Sequence, residues 1–372
     1  MGRTMVAYSR RNNKAAGFWQ HRLEHPARDS SLPGETTMWK GPRNAIHPLT
    51  ATIVLCTLGS GLLCASLYAG RDSVGGTDFL ALYSGARLLG TGHMYDPQAI
   101  WNLQADTIGK YGEALLFTRI PCFGLFLWPL VQLPYPTAKH IWIALQLVMV
   151  IAAVWLWPGS KRTAMVVVCW SLPALMCLAH GADTTLLFFW LVLWRRLESQ
   201  NRPVPAGIAL AFCIAKFHLF LFLPLLLLRH RRWPVLKGSA IGVLACLALS
   251  FAAAGWRWPT DFLHVLTLPG INPGRMVMPN IHGLFPRLEV PLVIVTLILT
   301  GVAIFKLDYL DGLVVALVGS LLCSYHAYVM DGVILLPATI LTIERHRSQW
   351  PFPVAVIMTT PIPWVALLMR GL

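Results

Sequence analysis

The chain has 372 residues, of which 56% are hydrophobic and only 12% charged, with a mean hydropathy of +0.60. A soluble domain carries about a quarter charged residues, and a β-barrel would alternate polar and apolar positions, so the composition predicts an all-α polytopic membrane protein. The formal net charge of +14 predicts no nucleic-acid partner, because the basic residues flank apolar runs as they do on the cytoplasmic side of membrane helices.

Residues 1–46 are basic and polar, with Arg10, Arg11, Lys14, Arg22, Arg28, Lys40 and Arg43, and read as a disordered cytoplasmic tail. Met38 offers an alternative start that would remove most of it. From residue 47 onward the chain reads as one membrane domain. Pro48 to Ala69 is the first membrane helix, long enough to span a bilayer. Gly70 to Arg119 is a long polar loop. Within it Phe79, Leu82, Tyr83, Ala86 and Leu89 fall at helical spacing, and Pro97 to Ile108 forms a second amphipathic pattern; both are expected to lie in the membrane interface.

Further apolar runs follow at Pro121–Pro134, Thr137–Trp157, Ala164–Leu178, Thr184–Trp194, Val204–Leu228 and Val235–Ala254. After a loop to Glu289 come Pro291–Phe305, Leu310–Cys323, Gly332–Ile343 and Pro351–Met369. Together they predict about nine to eleven membrane segments, several too short to span alone. Short or broken helices are tolerated where they line a water-filled cavity, so a deep polar cavity is expected. The eight cysteines show no C-x-x-C and no metal spacing, and read as small apolar side chains.

The basic clusters Lys161-Arg162, Arg195-Arg196, Arg229-Arg231-Arg232 and Arg345-Arg347 all lie at breaks between apolar runs. They predict one cytoplasmic face and a cytoplasmic N-terminus. This topology requires Pro121–Pro134 to be re-entrant and Val204–Leu228 to go in and return, with Lys216 near its tip. Asp78, His180, Asp183, Lys216, Asn280, His282, His326 and Asp331 then all fall on the opposite, external side.

Each of these residues has a bland reading beside the functional one. Asp78 suits a general base whose pKa is tuned by partial burial, or a helix N-cap. His180-Gly181-Ala182-Asp183 suits hydrogen bonding to a polar substrate, or a tight turn with Asp183 as cap. A metal site from His180, Asp183 and His326 has unspecific spacing, and no metal is expected. Lys216 between apolar flanks suits a phosphate contact, or snorkelling to water. Asn280 and His282 suit sugar hydroxyls, or an ordinary loop, and Arg275 precedes them. Ser324 to Asp331 concentrates His326, Asp331 and two tyrosines in an apolar stretch, as a site or as a polar helix end. No Walker A, G-x-S-x-G, H-E-x-x-H or nucleotide fingerprint is present.

Gly76-Thr77-Asp78-Phe79 followed by Tyr83, Ala86-Arg87, Gly90 and Tyr95-Asp96 resembles the first-loop motif of glycosyltransferase family 87. Later stretches are similar to family blocks in the same order: Trp128-Pro129-Leu130, His180 to Asp183, Ala206-Gly207 through Lys216, Pro279-Asn280 with Gly283, and Ser324, His326 and Asp331. The resemblance runs from about Pro48 to the C-terminus. Ala182, Arg119 to Cys122, and Phe217 depart from the family pattern, which bears on substrate identity. The family belongs to the GT-C superfamily, typified by polyprenyl-phosphate-mannose-dependent mannosyltransferases.

The resemblance implies a GT-C-like fold in the plasma (inner) membrane and no cofactor. It implies an inverting transfer of a hexose, mannose first, from a polyprenyl-phosphate-linked sugar to a glycolipid or glycan hydroxyl at the external face. Asp78 would be the base, and His326 would assist or meet the donor phosphate. Lys216 and an arginine, Arg119 or Arg275, are added as phosphate ligands, which would neutralise the leaving group without a metal. The alternative is a transporter or lipid flippase built on broken helices, against which stand the lack of a repeat and the one-sided polar groups.

Overall fold

The computed structural model describes residues 48–69, 78–109, 114–268 and 274–371. The basic tail at residues 1–46 and the Gly75-Gly76-Thr77 stretch before Asp78 lie outside the described residues. Among the described residues every element is helical, and all belong to one compact unit, His47–Leu372.

Helix α1 (Pro48–Ala69) is the first apolar run. Two short helices follow, α2 (Asp78–Arg87) and α3 (Pro97–Ile108), the latter capped by Asp96 Oδ1, which accepts from Gln98 N at 2.9 Å. Next come α4 (Pro121–Leu127), α5 (Tyr135–Leu156), and α6 (Lys161–Trp170) meeting α7 (Leu172–His180) at a 64° bend. Helix α8 (Thr184–Ser199) and α9 (Pro203–Ala211) lead into a 3-10 stretch, Phe212–Phe220, before α10 (Leu223–Arg229) and α11 (Trp233–Ala254). The remainder is α12 (Trp258–Leu266), α13 (Ile281–Leu284), α14 (Glu289–Lys306), α15 (Tyr309–Cys323), a 3-10 turn Val329–Leu335 running into α16 (Leu336–Arg345), then α17 (Pro351–Thr359) and α18 (Ile362–Leu368). Proline opens many of these helices, among them α3, α4, α7, α9, α11 and α17. Its missing N–H and fixed φ suit the first helical turn.

Among the described residues four helices are long and apolar enough to cross a membrane, or up to six spans if each bent pair counts as one. The nine to eleven segments expected from sequence include pieces that are half-helices here, such as α4 and α10. Ile151 on α5, Leu244 on α11 and Ile298 on α14 are each at least 59% exposed. Apolar surface on this scale fits hydrocarbon rather than water. The chain is a multi-pass membrane protein.

The polar breaks gather at one end. Glu344 accepts from Ser160 N at 2.8 Å and Tyr309 Oη donates to Glu198 at 2.9 Å. Arg345 pairs with Asp308 at 2.5 Å and Asp311 at 2.9 Å, and the Arg232 guanidinium lies 4.5 Å over the Tyr309 ring. These contacts join the α5–α6, α8–α9, α10–α11 and α14–α15 connections and the C-terminus of α16 into one basic end.

Helix α9 starts at that end and packs alongside α11. A Cβ on Gly207 would sit 2.0 Å from Val235 O, so only glycine permits this approach. The backbone breaks helical geometry at Lys216 (φ −133°, ψ 56°), and α10 returns to the basic end, where Arg229 donates to Phe305 O at 3.1 Å. The segment therefore enters the protein and comes back, with Lys216 at depth.

Helix α2 departs from expectation. It is packed inside the protein rather than laid along its surface: Phe79, Leu80, Leu82, Tyr83, Ser84, Gly85 and Ala86 are all buried. Its apolar stripe packs on Trp142, whose ring lies 5.7 Å from Phe79. Its second face is made of Ser84 and Gly85, small enough for Phe117 to close over it. The sequence pattern reveals the first face only. Arg87 fixes the far end of α2 by donating to Val131 O at 2.9 Å.

Candidate active site

The turn between α7 and α8 organises the site. Gly181 has φ +67°, a left-handed conformation that favours glycine. A Cβ there would meet Phe79 Cβ at 2.8 Å, so the N-terminus of α2 rests against this turn. Trp142 Nε1 donates to Gly181 O at 2.8 Å, and Gln146 Nε2 donates to Ala182 O. Asp183 stands at the N-cap of α8, yet its side chain makes no cap bond.

Its carboxylate turns instead to cations. Arg119 Nε donates to Oδ2 at 2.5 Å and Nη2 to Oδ1 at 2.9 Å, a bidentate pair. Lys216 Nζ lies 3.1 Å from Asp183 Oδ1, 2.5 Å from Asp331 Oδ1 and 3.0 Å from Thr184 Oγ1. Thr184 Oγ1 in turn donates to Asp331 Oδ1 at 2.7 Å, and Asp331 Oδ2 accepts from Tyr328 N at 2.9 Å. Arg119, Asp183, Thr184, Lys216 and Asp331 are all buried. Two cations face two anions, so the ring is neutral. Such a ring tolerates burial only while every member is present. The three ammonium hydrogens of Lys216 face three acceptors, so in this arrangement it holds Asp183 and Asp331 together.

Asp78, the first residue of α2, is half-buried beside this ring and forms no ion pair with Arg119 or Lys216. It lies outside the candidate spans. Burial pushes its carboxyl up from the ordinary 3.8 to about 6; Lys216 and Arg119 pull it down, while Asp331 and Asp183 push it up. A carboxylate poised there accepts a proton readily near neutral pH.

His326 lies in the loop between α15 and the Val329–Leu335 turn, within the field of Asp331, Lys216, Arg119 and Asp183. Burial drives its imidazole down to about 4, so it is neutral at physiological pH. Its ring packs edge-on to Tyr328, with centroids 5.2 Å apart, and 6.1 Å from His218. Asn280 is fully buried; its Nδ2 donates to Ser324 O at 2.7 Å and its Oδ1 caps α13 at Gly283 N. It thereby ties the 278–284 loop to the His326 loop.

The remaining candidates lie elsewhere. Arg275 and His282 converge on Glu289, at 2.6 Å and 2.7 Å, as a separate half-exposed group. His180 ends α7, half-buried, without an ion pair to the ring. Among the described residues no three His, Cys, Asp or Glu side chains are grouped as a metal would require.

Sequence reasoning missed Thr184 and His218. Thr184 bridges Lys216 and Asp331, and its signal was adjacency to Asp183. His218 Nε2 is buried without a hydrogen-bond partner among the described residues. Its signal was the two-residue spacing from Lys216 across a helix break.

The fold and site together define a multi-pass α-helical membrane protein with a buried charged centre and, beside it, one carboxylate that forms no ion pair among the described residues. The family model for glycosyltransferase family 87 matches residues 117–330, more than half of the chain, and the chain belongs to that family. The matched span holds Arg119, His180, Asp183, Lys216, Arg275, Asn280, His282 and His326. Asp78 precedes it and Asp331 follows it by one residue. No curated protein and no solved structure matches the chain. Membership establishes a membrane glycosyltransferase.

Proposed function

We propose that this glycosyltransferase moves a hexose, with mannose the leading choice, from a polyprenyl-phosphate sugar to a hydroxyl of a lipid or glycan acceptor at the external membrane face. The observation that carries the reading is Asp78: a carboxylate beside a neutral ring of ion pairs, outside those pairs, in a chain of this family. The acceptor oxygen attacks the anomeric carbon from the face opposite the phosphate. The bond between that carbon and the phosphate oxygen breaks with inversion, the acceptor proton passes to Asp78, and polyprenyl monophosphate leaves. Arg119 and Lys216, neutralised by Asp183 and Asp331, are assigned to holding the site rigid beside Asp78 rather than to binding the leaving phosphate. His326, as a neutral imidazole, is assigned a hydrogen bond to the substrate rather than a charge.

A lipid-linked donor is supported by an apolar cavity of about 510 Å³ between α15, α16 and the α17–α18 pair. It is lined by Leu321, Leu335, Ala338 and Trp364, and it begins beside Pro279, next to Asn280. An isoprenoid chain suits such a wall chemically.

The test reconstitutes the full chain in vesicles with radiolabelled polyprenyl-phosphate sugars and a lipid extract, comparing wild type with Asp78→Asn. Loss of transfer in the variant is expected. Equal transfer by both would remove Asp78 from the chemistry, and donor-independent flux across the vesicle would favour a transporter.

A further inference from the structure

A second cavity, of about 580 Å³ and with a mixed polar and apolar lining, lies between the Gly90–Pro97 turn and the start of α12, away from the ion-pair ring. Its size is that of small-ligand sites. Trp256 stands at it 85% exposed, and Trp258 lines it while 6% exposed. The indole Nε1 of Trp258 is buried with no hydrogen-bond partner among the described residues. Asp261 lines the same cavity and forms no ion pair among the described residues, whereas Asp96 is engaged by His93 and by the cap of α3.

The chemistry of this wall is specific. The flat face of an exposed indole covers the C–H face of a sugar ring, and a carboxylate accepts from its hydroxyls. Two carboxylates, Asp96 and Asp261, line it beside Arg257, His93 and His264, so the wall carries no excess of fixed positive charge to favour an anionic ligand. The floor has no side chains at Gly92 or Gly255, where nothing lies within 4 Å of an added Cβ. The ten residues of α2 separate Asp78 from this cavity, about 15 Å at 1.5 Å per residue, further than one sugar ring reaches. A physical link exists: Tyr95 lines the cavity, and its hydroxyl donates at 2.6 Å to the carbonyl of Arg119, the residue that clamps Asp183.

We propose that this cavity is a carbohydrate subsite that holds remote sugar units of a neutral oligosaccharide acceptor, with Trp256 as stacking platform and Asp261 as hydroxyl partner. It rests on the transferase reading for its purpose, but its binding is measured without transfer. Neutral mannose and glucose oligosaccharides of two to four units are titrated calorimetrically into the purified full chain in nanodiscs. Wild type, Trp256→Ala, Asp261→Asn and Asp78→Asn are compared.

Binding to wild type is expected, at least tenfold weaker in Trp256→Ala and Asp261→Asn and unchanged in Asp78→Asn. Trp256 is exposed and Asp261 keeps its shape as Asn, so both variants are expected to fold. Absence of binding to wild type, or equal binding by Trp256→Ala and Asp261→Asn, overturns the subsite. Oligosaccharide binding by a wild-type chain that shows no transfer supports the subsite while overturning the transferase reading.

Discussion

Asp78 and Asp183 are both carboxylates at the start of a helix, yet their surroundings separate their roles. Asp183 gives up its cap to meet Arg119 and Lys216, so it is fixed as an anion. Asp78 has no such partner among the described residues, and burial is the largest influence on its ionisation, ahead of the surrounding charges. General-base catalysis is worth about 10²–10⁴-fold, so Asp78→Asn is expected to reduce transfer by that order, measured by single-turnover assay. The base must be ionised to act, so transfer is expected to rise with pH along a limb centred near 6, and that limb should vanish in the variant. The linkage has a definite sign. The folded value is raised, so the stability from Asp78 is present below its ordinary value of 3.8 and lost as pH rises through about 6. Asp78→Asn should therefore unfold no more easily than wild type at pH 8, with a gain of at most about 3 kcal/mol. Chemical denaturation in detergent checks this.

At the scale of elements, the site exists because α2, the α7–α8 turn and the α9–α10 return meet at one depth. Gly181→Ala places a methyl 2.8 Å from Phe79 Cβ at a positive φ, and is expected to push α2 away and cut transfer at least tenfold while the helical content stays constant. Lys216→Met leaves Asp183 and Asp331 facing each other without their shared cation. Removing one partner of a buried pair costs about 3–5 kcal/mol, so this variant is expected to melt well below wild type, whereas a lysine that merely snorkelled would not matter. Much of this was legible beforehand. The bounds of α1, the polar breaks and the in-and-out course around Lys216 follow from apolar run lengths and charge. The burial of α2 does not, because Ser84, Gly85 and Ala86 carry no hydrophobic signal although they create its second packed face. The pairing of Arg119 with Asp183 spans 64 positions, a distance that no local pattern encodes. The same limit hid Thr184, which in sequence is only the residue after Asp183.

For the whole molecule, the basic breaks form one end and the ion-pair ring lies toward the other ends of α8, α15 and α16. The expected orientation places the basic end in the cytoplasm. Fusing a fluorescent reporter after Asn201, in the α8–α9 connection, should give a fluorescent product. Fusing alkaline phosphatase after Arg257, beyond α11, should give an active one. The reverse pair of results would turn the protein over and move the proposed chemistry to the cytoplasmic face.

The neutrality of the buried ring has a consequence for energy coupling. With Arg119 and Lys216 cancelled by Asp183 and Asp331, the variable charges during the proposed step are those of Asp78 and the donor phosphate. Asp78 loses its negative charge as it takes the acceptor proton, and the phosphate gains one as it departs. The total charge within the low-dielectric interior stays constant; only its position shifts, from the carboxylate to the leaving group. A reaction that transports no net charge across the bilayer draws almost no work from the membrane potential. On this assignment the transfer step runs at the same rate in polarised and depolarised vesicles, and any voltage dependence belongs to the arrival of substrate or the departure of product.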